Sequence, residues 1–138
     1  MYLEILTPDD TMYRGSAESV TMPTGDGEIT VLTGHIPLIS TLVPGTVIVR
    51  EKNEESLFAV TRGVVQVDGM SVRVLADTAD RTEGLEEAAI QAAKERAEQI
   101  LKEKRTDEEG FADARAILER ELAKLQTVRR LRSRRRSS

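Results

Sequence analysis

Over the first 84 residues apolar positions largely alternate with polar ones, and from residue 85 onward they recur every three or four, so one chain carries two periodicities. The first belongs to strands, whose successive side chains point to opposite faces of a sheet, and the second to one stripe of a helix. Residues 2–6, 17–22, 28–32, 46–50 and 57–61 read as strands bounded by turn residues. Residues 63–68 and 71–75 flank Asp68-Gly69, which predicts a hairpin closed by a two-residue type I′ turn. Continuous runs such as Leu57-Phe58-Ala59-Val60 predict strands covered on both faces. The expected fold is an N-terminal antiparallel β-sandwich over residues 1–84, large enough to fold alone with modest stability.

Beyond the break, Leu85, Ala88, Ala89, Ala92, Ala93, Ala97, Ile100 and Leu101 form an Ala-rich stripe, which lets a neighbouring helix approach closely but buries little area per residue. Thr106 and Glu109 have the spacing of a capping box, so a second helix is expected to start near Asp107, with Phe111, Ala114, Leu118, Leu122, Leu125 and Val128 as its stripe. Residues 85–131 thus predict a C-terminal antiparallel two-helix hairpin turning at residues 104–106, with arms of roughly 30–35 Å each. Residues 132–138 remain as an Arg-rich tail.

Composition sharpens the boundary. All four Pro, eight of nine Gly and eleven of twelve Val precede residue 85, whereas residues 85–128 hold nine Ala, as expected for strands and turns followed by helix. The net charge of −4 conceals an asymmetry: Arg129, Arg130, Arg132, Arg134, Arg135 and Arg136 fall in the last ten residues, leaving fourteen cations against all 24 carboxylates, a net −10, over residues 1–128. Such a run suits phosphates or an acidic protein surface, or is simply a solvated tail. The acidic body, with an aromatic content of 3%, lacks the basic face and stacking platforms of nucleic-acid binders, so no nucleic acid is expected as a partner. No apolar stretch is long enough for a membrane span and no secretory leader is legible, so a soluble protein of the cytosol is the default expectation.

Catalytic chemistry finds little to work with. There is no Cys and one His, His35, in Gly34-His35-Ile36-Pro37, a setting that suits a structural or interface residue better than a general base. The carboxylate pairs Asp9-Asp10, Glu54-Glu55 and Glu86-Glu87 lie in turns or on polar helix faces where solvated charge is ordinary. The Gly25-Asp26-Gly27 loop lacks the lysine and helix start of a phosphate-binding loop. No catalytic residue, metal ligand or cofactor site is expected, and an enzyme acting alone is disfavoured.

The order of features nonetheless resembles a known family. A β-sandwich, then Gly27-Glu28-Ile29-Thr30-Val31-Leu32-Thr33-Gly34-His35-Ile36-Pro37-Leu38 with Pro44-Gly45 following, then Leu75-Ala76-Asp77-Thr78-Ala79 running into two helices, is similar to the epsilon subunit of the bacterial F-type ATP synthase. The resemblance spans residues 1–128 and departs at Thr30 and Thr33, where the family commonly has Gly and Pro. It implies a noncatalytic rotor subunit of the central stalk that couples the gamma subunit to the membrane ring of c subunits, on the cytoplasmic face of the cell membrane and peripheral to it through the complex. Glu28 and His35 match the positions that in the family lie at the sandwich end facing the ring and gamma; shaping a turn is the competing reading.

The resemblance also implies that the hairpin either folds against the sandwich or extends along gamma between the catalytic alpha and beta subunits, where it blocks ATP hydrolysis. Arg115, Arg120, Lys124, Arg129, Arg130 and Arg132 are then the candidates for contact with the acidic segment of the beta subunits, and the Arg run is expected to strengthen that contact. Members that bind ATP use an Ile/Leu-Asp-x-x-Arg-Ala segment at the start of the first helix. Here it reads Leu85-Glu86-Glu87-Ala88-Ala89-Ile90, with Glu86, Ala89 and Ile90 at the altered positions and Arg96 retained further on, so ATP binding is expected to be weak or absent. A free-standing adaptor presenting a helical hairpin, and more distantly an RNA-associated protein, are the alternatives.

Overall fold

The computed structural model describes residues 1–82, 85–104 and 108–137, with side chains through Arg134. Ten strands precede two helices. The strands are β1 (Tyr2–Leu6), β2 (Thr11–Ser16), β3 (Ser19–Thr24), β4 (Gly27–Leu32), β5 (Leu38–Leu42), β6 (Gly45–Glu51), β7 (Glu54–Val60), β8 (Gly63–Val67), β9 (Ser71–Ala76) and β10 (Ala79–Arg81), and the helices are α1 (Glu87–Glu103) and α2 (Glu108–Ser137). Two five-stranded layers result, β10-β7-β6-β3-β4 and β5-β8-β9-β1-β2, linked by the pairing of Thr24 with Leu42. Every neighbouring pair is antiparallel except β1 with β9, which run parallel.

The sandwich interior is aliphatic because the chain has only two Phe and two Tyr to offer. Leu3, Ile5, Val20, Met22, Val31, Val47, Val49, Phe58, Val60, Val65, Val72 and Val74 are among the residues that fill it, each at an alternate position of its strand. Phe58 is fully buried, meets the Tyr13 ring edge-on at 6.3 Å between centroids, and carries the Arg81 guanidinium 5.0 Å from its ring centre. Packing at β8 and β9 is tight enough that a Cβ on Gly63 would lie 1.8 Å from the Leu75 carbonyl oxygen, so only glycine fits there.

The two-residue turn predicted at Asp68-Gly69 forms one residue later. Gly69 has φ of +93° and Met70 is the second central residue, while the Asp68 carboxylate accepts the backbone N–H groups of Met70 and Ser71. The turn with two left-handed central residues is instead at Lys52-Asn53, where φ is 50° and 66° between the paired Glu51 and Glu54. Strands β2, β5 and β10 carry no clear alternation and were not legible as strands; β2 is an edge strand with most of its side chains exposed or half-buried.

The helices also depart from the expected pattern. In α1 it is Ile90 and Ala97 that are buried, with Ala88, Ala89 and Ala92 exposed, so the inward face is rotated from the Ala stripe. Ile90 packs with Leu125 and Val128 of α2 and with Leu85. Of the α2 stripe, Ala114, Leu125 and Val128 are buried, but Leu122 is 45% exposed. Thr106, proposed as the cap of α2, lies outside the described residues. The arms are unequal: α1 has 17 residues, about 25 Å, and α2 has 30, about 45 Å. The expected end at residue 131 is passed because Arg is a strong helix former and its positive charge favours a helix C-terminus.

Candidate functional site

The long α2 lies across the outer face of the β10-β7-β6-β3-β4 layer, against β6 and β7. Thr46 and Ile48 of β6 and Leu57 and Ala59 of β7 point away from the sandwich interior, yet each is at least 97% buried. Their cover is a line of α2 residues spaced three and four apart: Arg120, Ala123, Thr127, Arg130 and Arg134. Thr127 is fully buried and shares a 2.7 Å hydroxyl–hydroxyl hydrogen bond with Thr46, which satisfies both groups where they are shielded from solvent.

The rest of that line is ionic. Arg120 donates through Nε and Nη2 to both oxygens of Asp80, at 3.0 and 2.9 Å. Arg130 forks onto Glu28 at 3.0 and 3.2 Å, and Arg134 onto Glu55, which also accepts a hydrogen bond from Arg50 at 2.9 Å. Beside the line, Arg62 donates to Glu119 at 2.8 Å. The cationic partners hold the Glu28 and Glu55 carboxyls below their ordinary range, through hydrogen bonds from Arg130 and Arg134 respectively. Hydrogen bonding to Asp80 and Glu55 raises Arg120 and Arg134. Between the helices, Glu87 binds Arg129 at 3.0 Å and Arg132 at 2.6 Å, and Arg129 chiefly lowers its pKa.

Of the six cations proposed to meet catalytic subunits, then, four pair with other elements of the chain: Arg120 and Arg130 with the sandwich, and Arg129 and Arg132 with α1. Lys124 pairs with Glu121 at 3.2 Å, and Arg115 is exposed. Asp80, Glu55, Thr46 and Thr127 were missed by sequence reasoning. A signal existed in α2, where Arg120, Thr127, Arg130 and Arg134 form a second three-and-four line beside the Leu stripe, but nothing linear points to their sheet partners.

Glu28 and His35 are not brought together. Glu28 opens β4 and His35 lies beyond its far end, about 13 Å of strand and three loop residues away. The His35 loop is pinned to the β8–β9 turn, since Gly34 donates its N–H to the Gly69 carbonyl at 3.0 Å, and the His35 ring Nδ1 lies 2.8 Å from the Ile36 carbonyl oxygen. Around this joint Leu32 is 60% exposed and Ile36 and Met70 75% each, with Ile39 at 76% further along. Several large apolar side chains this exposed at one loop end form a patch suited to a partner surface rather than to water.

At the foot of the hairpin a cleft of about 370 Å³ is lined by Leu85, Glu86, Ala89, Ile90, Ala93, Glu121 and Lys124. Glu86 is the N-cap of α1 but makes no side-chain cap hydrogen bond, since its carboxylate is one methylene longer than a good capping group. Two carboxylates face one lysine there, and that lysine already pairs with Glu121, so the lining is poorly disposed to a polyphosphate. Arg96 is exposed on α1 outside this lining. Among the described residues no group of three or more His, Cys, Asp or Glu is placed to hold a metal ion, and no helix is long and apolar enough to cross a membrane.

Comparison with known proteins converges on one family. Residues 1–82 match the family model described as ATP synthase, Delta/Epsilon chain, beta-sandwich domain. The chain is 38% identical over 135 residues to an ATP synthase epsilon chain of Alkalilimnicola ehrlichii, covering 97% of this chain and 96% of the relative. It is 40% identical over 134 residues to that of Bordetella avium, covering 96% and 94%. Its fold is similar to a chain in the structure of the Euglena gracilis mitochondrial ATP synthase, OSCP/F1/c-ring, with a TM-score of 0.68 at 22% identity over 85% of this chain and 74% of that one. Near-complete coverage at this identity, together with a sandwich followed by two helices, shows that the chain belongs to the ATP synthase epsilon-chain family.

Proposed function

We propose that this epsilon chain is the noncatalytic rotor element that couples the gamma subunit to the c-ring of a proton-translocating F-type ATP synthase, and that its helical hairpin restrains ATP hydrolysis when it leaves the sandwich. The observation that carries the coupling half is the apolar patch of Leu32, Ile36 and Met70 around His35, at a sandwich end that the hairpin does not cover. Two loops joined by the Gly34–Gly69 hydrogen bond give that patch a fixed shape, as a docking surface requires. The chain works at the cytoplasmic face of the cell membrane, held there by the complex and not by a span of its own.

The regulatory half is supported by how α2 is held. Its sandwich-facing line is mainly Arg and Thr, and Leu125 and Val128 turn toward α1, so the hairpin is a unit that parts from the sandwich by giving up ion pairs and the cover of Ile48, Leu57 and Ala59 without breaking its own small core. ATP is not its ligand of consequence, because the cleft at Glu86, Ala89 and Ile90 offers one paired lysine against two carboxylates.

The test is hydrolysis by an epsilon-depleted catalytic head that retains gamma, after addition of residues 1–138 or a chain ending at residue 84, with binding measured alongside. Binding by both with slower hydrolysis only for the full chain is the expected result. Equal rates with both bound would leave the coupling role and remove the inhibitory one, and failure of both to bind would remove the coupling role as well.

A further inference from the structure

The arginines at the end of α2 lie where a contact with catalytic subunits would not put them. Arg130 is forked onto Glu28 of the edge strand β4, and Arg134 onto Glu55 of β7. These carboxylates flank the strip of Ile48, Leu57 and Ala59 that α2 covers, so the ion pairs close the end of the docked helix on either side. Arg130 reaches Glu28 from between Arg129 and Arg132, which turn to Glu87 of α1, and Arg134 reaches Glu55 from the turn that follows. The sign of the charges is complementary across the whole contact, with Asp80, Glu55 and Glu28 on the sheet and Arg120, Arg134 and Arg130 on the helix.

We propose that the Arg-rich end of α2 is a latch that holds the hairpin docked on the sandwich by closing on Glu28 and Glu55, so that the run opposes the extended, inhibitory state instead of strengthening it. The inference rests on the reading of the hairpin as a mobile element, and it reverses the role that the sequence alone suggests for these arginines. Glu28 becomes the point of release. A cationic group of a partner that takes Glu28 from Arg130 loosens the hairpin, and by linkage a docked hairpin weakens that partner's hold on Glu28. Because the side chains of Arg130, Glu28, Arg134 and Glu55 are each between 27% and 48% exposed, the latch is screened by salt.

The absence of Cys from the chain makes a direct test simple. A reporter thiol at Ala123, which is 4% exposed on the sandwich side of α2, reacts with an alkylating reagent only when the hairpin leaves. In the full-length A123C chain the expected result is slow labelling, accelerated threefold or more by Glu28→Gln or Arg130→Gln and by raising salt from 0.05 to 0.5 M. The exchanged pair Glu28→Arg with Arg130→Glu is expected to bring labelling back toward the starting rate, which a general loss of folding would not do. Hydrogen exchange of α2 amides in the cysteine-free chain repeats the measurement if the reporter itself disturbs docking. Unchanged labelling and exchange in Glu28→Gln and Arg130→Gln would overturn the latch. On the catalytic head, Arg130→Gln with Arg134→Gln is expected to inhibit more strongly than the unaltered chain at equal binding. Weaker inhibition would show that the arginines serve the extended state and would overturn the proposal. A chain that does not inhibit at all but whose labelling responds keeps the latch and removes only the inhibitory reading.

Discussion

Lys52 and Asn53 both sit in left-handed backbone, with φ of 50° and 66°, at the tip of the β6–β7 hairpin. Asn tolerates this region through its short polar side chain, whereas Lys does so at a steric cost of about 1 kcal/mol or more. The Lys52 side chain is exposed and its backbone N–H, which any replacement but proline keeps, donates to Glu18 at 3.1 Å. Lys52→Asn is therefore expected to stabilise the chain by about 0.5–1 kcal/mol, read as a higher urea midpoint at unchanged slope. The alternation of β6 and β7 located a turn between residues 50 and 57, but Lys-Asn is not a residue pair that announces its type. Asp68-Gly69 is such a pair, and there the Asp68 carboxylate captured two backbone N–H groups and moved the turn on by one residue.

At the scale of elements, α2 is decided by two faces that compete for it. Leu125 and Val128 turn to Ile90 of α1, while Arg120, Thr127, Arg130 and Arg134 turn to the sheet. The apolar stripe was legible from residue types, because an aliphatic side chain has one general preference. The ionic line was not, because an exposed Arg serves equally in water, against a carboxylate or against a partner. The Glu28 and Glu55 carboxyls lie below their usual value when α2 is docked, so their contribution is complete above about pH 4.3 and is lost as pH falls through the lowered values. Docking is accordingly expected to be flat from pH 7 to 5 and to weaken at about pH 4 and below. Carboxyl ¹³C titration checks this: the Glu28 midpoint should lie below that of an unpaired glutamate and rise toward it in Arg130→Gln.

At the scale of the molecule the sandwich and the hairpin have separate cores, since the aliphatic cluster of the sandwich uses residues from Leu3 to Ala79 and the hairpin's own cluster begins at Leu85. A chain ending at residue 84 is expected to keep a β-type circular dichroism spectrum but to expose Ile48, Leu57 and Ala59, which α2 otherwise covers. Its binding of a hydrophobic dye should exceed that of the full chain several-fold, and equal binding would show that α2 shields nothing. The same separation leaves one end of the sandwich, at Leu32, Ile36 and Met70, exposed while the outer face of one layer is occupied by the chain's own helix.

The sequence by itself determined that a Val-rich sandwich is followed by Ala- and Leu-bearing helices, because periodicity and turn residues are local properties. It also carried the family, through segments such as Gly34-His35-Ile36-Pro37 and Ala76-Asp77-Thr78-Ala79. Tertiary structure alone decided that β1 pairs in parallel with β9 and that the terminal arginines close on Glu28 and Glu55. Each of these joins residues distant in the chain, up to 102 positions apart for Arg130 and Glu28. A charged side chain declares that it needs a partner or water, and only the folded chain supplies which.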